Sequence, residues 1–229
     1  MPTDKSLCDK KGHRDRLRER FLSFGGSLSD YELLELLLFA YMPRIDTKLI
    51  SKNLLRTFGG LHQVAAAGVN DLIRVPGIGK NTAVQLKAIR EFALRGYVAK
   101  LKDAPIFHDW ASFENYAKQK LSDKKIEEFH ILYLDSKYQL IEDEAHSTGT
   151  INGTAVYARE VVIHALNLGA RVVVMMHNHP GGNANFSSDD INATKDVMAK
   201  LAAMDIEFFD HFLIANGLMY SIKNSHLLD

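Results

Sequence analysis

The sequence has one cysteine and no long apolar segment, and each absence excludes a class of protein. Cys8 is the only thiol among 229 residues. A single cysteine cannot build an internal disulfide framework, and it argues against a cysteine-ligated zinc site. The longest apolar run, Leu33 to Met42, is short and contains Glu35, so no membrane-spanning helix is predicted. No signal-peptide pattern is seen, and we expect a cytoplasmic protein.

The chain as a whole has no net charge, but each of its two halves does. Residues 1–100 contain 17 Lys and Arg against 10 Asp and Glu, whereas residues 101–229 contain 11 against 18. The first half is therefore positive and the second negative. An excess of positive charge favours contact with a polyanion such as DNA. The alternative is that the two halves simply attract each other.

The first hundred residues predict a helical domain, residues 1–100. Apolar spacing and helix-ending residues predict helices at 31–41, 47–58, 70–73 and 80–95, followed by a linker at 97–107. The last two helices are joined by Pro76-Gly77-Ile78-Gly79. This order resembles the helix-hairpin-helix module, which binds nucleic acid without regard to base sequence.

The chemistry of that turn fits a phosphate. Gly77 and Gly79 would let the backbone approach closely, the N–H groups of the next helix would point at the phosphate, and Lys80 would add a positive charge. Lys87 and Arg90 lie further along the same helix. Such contacts position a nucleic acid but do not read its bases. The alternative is a hairpin with a purely architectural role.

The second domain, residues 108–229, predicts an α+β fold with a mixed sheet flanked by helices, because strand and helix patterns alternate irregularly. Helices are predicted at 109–121, 156–168 and 188–204. Strands are predicted at 129–134, 138–141, 145–148, 171–176, 206–209, 212–215 and 219–222.

A metal site is predicted where the strand at 171–176 ends. His177 and His179 follow it, and residues two apart on a strand point to the same face. A loop then leads to Ser187 and Asp190 at the start of a helix. Two imidazoles and one carboxylate are the protein ligands of a catalytic zinc whose fourth position holds water. Ser187 and Asp190 are equally typical of a helix-capping pair, and one residue can serve both purposes.

The combination is more specific than its parts. His177-Asn178-His179-Pro180 with Ser187 and Asp190 resembles the signature of the JAMM (MPN) metalloprotease family. Further similarity, at Gly149-Thr150, 157–162 and Asp210-His211, resembles the bacterial RadC family over nearly the whole chain. The resemblance implies a JAMM-like, cytidine-deaminase-like second domain that binds zinc. Two positions depart from the family pattern: Gly181 stands in place of the usual Ser and Phe186 in place of the usual Pro.

The resemblance also implies a glutamate that shuttles protons, located on an early strand. The spacing to Asp135 favours Glu127, and the neighbouring Glu128 stays open as an alternative. The two side chains would face opposite sides of the strand, so only one can reach the metal. His211 is expected to form hydrogen bonds near the site, and other histidines, His130 among them, have no partner at ligand spacing.

The predicted function is zinc-assisted hydrolysis of a peptide or isopeptide bond, with Glu127 as the base and Ser187 as a hydrogen-bond donor to the oxyanion. DNA association through the first domain is expected beside it. One alternative is a DNA repair or maintenance factor without peptidase activity, whose zinc site is structural or vestigial. Another is a zinc nuclease, although such enzymes commonly use two metals.

Overall fold

The computed structural model describes residues 4–106, 108–148 and 156–228, and for residues 4–11, 147 and 148 it describes the backbone only. Phe107 and the Gly149-Thr150 pair used in the family resemblance lie outside the described residues. Two compact units are distinguished, Met1–Phe92 and Ala93–Asp229.

The first unit is helical. Its elements are α1 (Asp4–Phe24), α2 (Asp30–Tyr41), α3 (Thr47–Phe58), α4 (Leu61–Ala66), α5 (Val69–Ile73) and the first part of α6 (Lys80–Asp103). Helix α2 starts at a capping box formed by Ser29 and Glu32, and Asp46 caps α3 with its side chain. The apolar faces of α2, α3 and α6 share one core, which includes Leu34, Leu38, Leu54, Leu72 and Leu86.

Helix α6 is longer than the sequence predicts. It continues from Lys80 to Asp103, so the predicted linker at 97–107 is wrong over most of its length. Leu94, Tyr97 and Val98 pack against a core of the second unit together with Leu101. This burial stabilises a helix where the scattered charges of the sequence suggested a break, since tertiary packing outweighs local propensity.

The second unit is a five-stranded sheet with helices on both faces, which confirms the predicted α+β class. Its elements are α7 (Trp110–Leu121), β1 (Glu128–Leu134), β2 (Leu140–Thr148), α8 (Ala158–Leu168), β3 (Val172–Asn178), α9 (Ser188–Ala202), β4 (Glu207–Ala215) and β5 (Leu218–Ser221). The strand order is β2-β1-β3-β4-β5. Only the β3–β4 pair is parallel; the other pairs are antiparallel.

Two pairs of predicted strands are single strands in the structure. The pair 138–141 and 145–148 corresponds to β2, and the pair 206–209 and 212–215 corresponds to β4. The predicted breaks fall on polar residues, Asp143 in β2 and the Asp210-His211 pair in β4. All three are paired inside the fold, so they remain in the strand without loss of hydrogen bonds.

Alternation along the strands separates two cores. On β1, Leu132 and Leu134 pack with α7, whereas Phe129, Ile131 and Tyr133 pack with α8 and α9. In the ladder, Phe129 lies opposite His177. His177 therefore belongs to the face covered by α8 and α9, which we call the metal face; the other is the α7 face. None of the helices in the described part of the chain is both long and apolar enough to cross a membrane.

Candidate metal centre

The predicted ligands meet at one point on the metal face. His177 is the penultimate residue of β3, His179 follows the strand, and Asp190 lies in the first turn of α9. The two Nε2 atoms are 3.1 Å apart. Asp190 places Oδ1 3.4 Å from His177 Nε2 and Oδ2 3.5 Å from His179 Nε2. Among the described residues, this is the one group of His, Cys, Asp or Glu side chains able to hold a metal ion.

The spacing fits tetrahedral zinc. With metal–ligand bonds of about 2.0–2.1 Å, the ligand atoms of a tetrahedron are roughly 3.3–3.4 Å apart. The Nε2–Nε2 separation of 3.1 Å is close to that value, and each Nε2 lies 3.4–3.5 Å from one of the two oxygens of the Asp190 carboxylate. The ligand chemistry, two imidazoles and one carboxylate, leaves a fourth position for water or substrate.

The pocket is electrostatically suited to a cation. The hydrogen bond with Asp190 raises the pKa of His179 against the effect of its burial, and the charge of Glu127 acts in the same direction as Asp190. Burial alone would raise the pKa of Asp190, but its bonds to His177, His179 and Ser187 outweigh burial and hold that pKa well below the usual range. A positive charge, from a proton or a metal, is therefore favoured at this point.

His179 is oriented by the loop that follows it. Its Nδ1 lies 2.9 Å from the carbonyl oxygen of Asn183. A carbonyl can only accept, so Nδ1 carries the hydrogen and Nε2 is left to face the metal position. The loop itself is held by Asn216, whose side chain donates to the Gly182 carbonyl at 2.7 Å. Gly182 has φ +77°, and a Cβ there would lie 2.5 Å from Asn216 Oδ1, so glycine is required.

Ser187 acts as the helix cap that the sequence left open as an alternative. Its Oγ accepts from the Asp190 N–H at 3.1 Å, and its backbone N–H and its hydroxyl each lie 2.7 Å from Asp190 Oδ2. The two bonds to Oδ2 fix the carboxylate that faces the two histidines, and the third fixes the backbone of Asp190. The role of Ser187 as an oxyanion donor stays a prediction, since its hydroxyl hydrogen is directed at Asp190.

Glu127 and Glu128 lie on different sides of β1. The Glu128 carboxylate is on the α7 face, 2.9 Å from the Lys124 ammonium. Glu127 is half-buried beside the metal face, near enough for its charge to raise the pKa of His179. Glu127 is thus among the charges that act on His179, and its role as the proton shuttle stays a prediction.

Asn178 fixes the backbone on both sides of Glu127. This residue lies between the two histidines and is 2% exposed. Its Oδ1 accepts from the Glu128 N–H at 2.9 Å, and its Nδ2 donates to the Ile126 carbonyl at 3.1 Å. The β1–β3 ladder ends one step earlier, at the Phe129–His177 pair. The carboxamide thus continues the strand pairing where the backbones part.

His211 and Phe186 complete the surroundings of His177. His211 is fully buried in β4, with Nε2 2.7 Å from His177 Nδ1, as expected for a hydrogen-bonding neighbour. Burial lowers the pKa of His211 well below the usual range, and the adjacent His177 lowers it further. The Phe186 ring lies 5.9 Å from His177 and 5.3 Å from His211, between ring centres. The departure from the family pattern at Phe186 therefore adds an apolar wall to the site.

Comparison with known families agrees with this geometry. Residues 107–227 match the RadC-like JAB domain, and residues 10–84 match the UPF0758 N-terminal domain. The chain belongs to the RadC family. The JAB-domain match spans all three candidate ligands together with Glu127 and Ser187. The N-terminal match covers most of the first unit and includes Gly77, Gly79 and Lys80.

The Pro-Gly-x-Gly turn joins α5 to α6 as predicted, but its two glycines differ. Gly77 has φ +93°, and a Cβ there would meet Ile50 Cδ1 at 2.8 Å, so this glycine is needed for packing. A Cβ on Gly79 would meet nothing within 4 Å. Lys80 is exposed at the start of α6. Lys87, in contrast, donates to the carbonyl oxygens of Ala65 and Ala66, and so ties α6 to the end of α4.

Sequence reasoning missed two residues of the site. Asn178 was visible between the two ligands, and its position alone was a signal. Thr194 lies one helical turn after Asp190, and its hydroxyl contacts both the Asp190 carbonyl and His211. Spacing of four residues on a helix places side chains on one face, so Thr194 too had a detectable pattern.

Proposed function

We propose that the RadC-like JAB domain is a zinc-dependent hydrolase that cleaves an amide bond in a peptide or isopeptide. The observation that supports this most strongly is that His177 Nε2 and His179 Nε2 lie 3.1 Å apart and each lies 3.4–3.5 Å from an oxygen of the Asp190 carboxylate. Three ligand atoms of this kind, beside a half-buried glutamate and with a fourth position left over, are the components of a metallohydrolase site.

Bound zinc would supply a Lewis acid for the substrate carbonyl and lower the pKa of a coordinated water. Glu127 accepts a proton from the attacking water as the water oxygen bonds to the carbonyl carbon. The same carboxyl then gives that proton to the amine nitrogen as the carbon–nitrogen bond breaks. Proton transfer by a positioned carboxylate contributes about 10²–10⁴-fold to rate.

The remaining residues hold these groups in place. Ser187 orients the Asp190 carboxylate through two hydrogen bonds and accepts a third from the Asp190 N–H, and Asn178 holds the backbone on either side of Glu127. Donation by Ser187 to the oxyanion would require its hydrogen to turn away from Asp190 Oδ2. This step is part of the proposal, and such donors are typically worth about 3–4 kcal/mol when preorganised.

The test is hydrolysis by the zinc-loaded full chain of a library of peptides and isopeptides, with DNA as a separate substrate. We expect amide cleavage that a chelator abolishes, that zinc restores, and that Glu127→Gln removes. Zinc binding without hydrolysis of any substrate would favour the repair or maintenance factor with a structural site. Cleavage of DNA alone would favour the nuclease.

A second proposal concerns the first unit, which would bind DNA at the start of α6. The open space at Gly79 and the exposed Lys80 support it, because a phosphate could approach the free N–H groups of the helix there. Gly77 is needed for packing against Ile50, and Lys87 is bonded to the end of α4. Fewer residues are therefore left to contact a phosphate than the sequence suggested.

DNA association is tested by titrating duplex and single-stranded DNA against the full chain at several salt concentrations. We expect weak binding without sequence preference that decreases as salt rises, and a further decrease in Lys80→Glu. Arg44→Glu is the control, because it makes the same charge change at an exposed position between α2 and α3. If the two variants weaken DNA binding equally, Lys80 contributes to binding only through the net charge of the protein.

A further inference from the structure

Three hydrogen bonds connect two of the candidate ligands by a second route. From His177 Nδ1 the contact runs 2.7 Å to His211 Nε2. The other nitrogen of that ring, Nδ1, lies 2.7 Å from Thr194 Oγ1. Thr194 Oγ1 in turn lies 2.6 Å from the backbone carbonyl of Asp190. His177, Thr194 and His211 are all 0% exposed, so water does not compete for these contacts.

The direction of each bond follows from the carbonyl. The Asp190 oxygen can only accept, so the single hydrogen of the Thr194 hydroxyl points to it. Thr194 then offers a lone pair to His211, and His211 Nδ1 must carry the hydrogen. In a neutral imidazole the second nitrogen is an acceptor. His211 Nε2 therefore accepts from His177 Nδ1, and His177 Nε2 is left with a free lone pair.

The same result is reached from the metal position. A neutral imidazole that binds a metal through Nε2 must carry its hydrogen on Nδ1. His177 Nδ1 then requires an acceptor, which His211 supplies only when its own hydrogen is on Nδ1 and faces Thr194. Both requirements place the hydrogens on His177 Nδ1 and His211 Nδ1. Phe129 and Phe186 surround the His211 ring at 5.1 and 5.3 Å, an apolar setting that disfavours a second cation.

We propose that Thr194 and His211 are positioning residues that select the metal-binding tautomer of His177, and so set the affinity of the site for zinc. This inference rests on the proposed metal site. The Thr194 hydroxyl then has a function beyond helix packing. One end of the hydrogen-bond chain holds the backbone of Asp190, and the other end holds the ring of His177.

Thr194→Val tests the proposal with almost no change in side-chain shape. The methyl group cannot accept a hydrogen bond from His211 Nδ1, so nothing then fixes the hydrogen of His211 on that nitrogen. We expect zinc affinity, measured by competition with a chromogenic chelator, to fall by about 10–100-fold, the usual effect of losing such an outer partner. Thr194→Ser keeps the hydroxyl and should retain an affinity close to that of the wild type. Thermal unfolding of the zinc-free variants controls for a general loss of stability.

A second measurement does not depend on zinc or on the variant folding. Nitrogen-15 chemical shifts of the histidine rings in the zinc-free wild-type chain distinguish the two neutral tautomers. We expect His177 and His211 both to carry the hydrogen on Nδ1. Hydrogen on Nε2 of either ring would overturn the proposal, as would equal zinc affinity in Thr194→Val and wild type. A wild-type protein that binds no zinc would overturn the proposed function. The tautomers of His177 and His211 would still show whether the hydrogen bonds run in the proposed direction.

Discussion

Both faces of the sheet contain a buried histidine beside a carboxylate, yet they differ in the balance of donors and acceptors. On the α7 face, His130 Nδ1 lies 2.7 Å from Asp143 Oδ1. Tyr116 donates its hydroxyl to the same carboxylate, and the Lys120 ammonium lies 3.2 Å from it. Each acceptor oxygen of Asp143 thus has a donor within the protein.

The metal face lacks that balance. His177 Nε2 and His179 Nε2 lie 3.1 Å apart and each lies 3.4–3.5 Å from an oxygen of the Asp190 carboxylate, whereas the hydrogens of the rings are directed elsewhere, to Asn183 and His211. Three acceptors facing one another repel unless a cation lies between them. Burial, histidine and carboxylate are common to both faces. The candidate metal site differs from the ion pair of the α7 face because neither ring donates a hydrogen to the carboxylate, whose described donors both come from Ser187.

The largest expected difference between the faces is in metal content. In the double variant His177→Ala, His179→Ala two of three ligands are gone, so zinc should fall from about one equivalent to almost none. His130→Ala, on the α7 face, should retain it. Elemental analysis after gel filtration in the presence of a weak chelator measures both. Full zinc in the double variant would place the metal elsewhere.

The adjacent glutamates provide the next comparison, since they are one residue apart and on opposite faces. Glu127→Gln should lower the rate of amide hydrolysis by about a hundredfold or more, with zinc still bound, because a general base is lost. Glu128→Gln removes the carboxylate that lies 2.9 Å from the Lys124 ammonium and 3.6 Å from His130 Nε2; both partners are on the α7 face, so the rate should be nearly unchanged. The opposite result would assign the proton shuttle to Glu128.

The ligands could be predicted from sequence because the motif is local. His177 and His179 are two residues apart, and Ser187 with Asp190 starts the next helix, so short-range rules of strand and helix geometry were sufficient. The α+β class was likewise predictable from alternating apolar patterns. Glu127 needed the family resemblance, since nothing in its own neighbourhood separates it from Glu128.

The surroundings of the ligands could not be predicted, because they depend on the register of distant strands. His211 reaches His177 only through the parallel pairing of β3 with β4, and Asn178 reaches Ile126 only because β1 lies beside β3. The same applies to His130, which looked unpartnered in the sequence and pairs with Asp143 across β1 and β2. Polar residues interrupt the apolar pattern of β2 and β4, so the sequence predicts strand ends there, although these residues lie within the strands and form the contacts.

A smaller effect is expected for Asn178, whose carboxamide connects the end of β3 to the backbone on either side of Glu127. Asn178→Ala should lower kcat by about 10–100-fold with little change in KM, because misplacing a catalytic group by about 1 Å has effects of that size. In a Glu127→Gln background the same change should have no further effect. Asn167→Ala, at an exposed position of α8, is the control.

Additive losses in the Asn178 and Glu127 double variant would contradict a role through Glu127. Hydrogen exchange gives a readout without substrate: the Glu128 amide, which donates to Asn178 Oδ1, should exchange faster in Asn178→Ala. The Leu132 amide, within the β1 ladder, should be unaffected. Faster exchange at both amides would indicate a general opening of the sheet.

The smallest expected effect concerns stability on the α7 face and its dependence on pH. Burial alone would raise the pKa of Asp143, but the bond to His130 and the charges of His130 and Lys120 outweigh burial and lower it. A lowered pKa in the folded state means that the charged carboxylate stabilises the fold. That stabilisation is complete above the unfolded pKa of about 3.9 and is lost as pH falls through the folded value.

Asp143→Asn keeps the shape of the side chain and removes its charge. At pH 7 we expect the free energy of unfolding to fall by about 2 kcal/mol, the typical value of hydrogen bonds to a charged group. Trp110, the single tryptophan, lies in α7, so its fluorescence during urea unfolding reports on this unit. The gap between wild type and variant should hold from pH 7 to 5 and close below about pH 4. A gap that persisted at low pH would mean that the side chain of Asp143 acts through hydrogen bonds that an amide cannot make, and not through its charge.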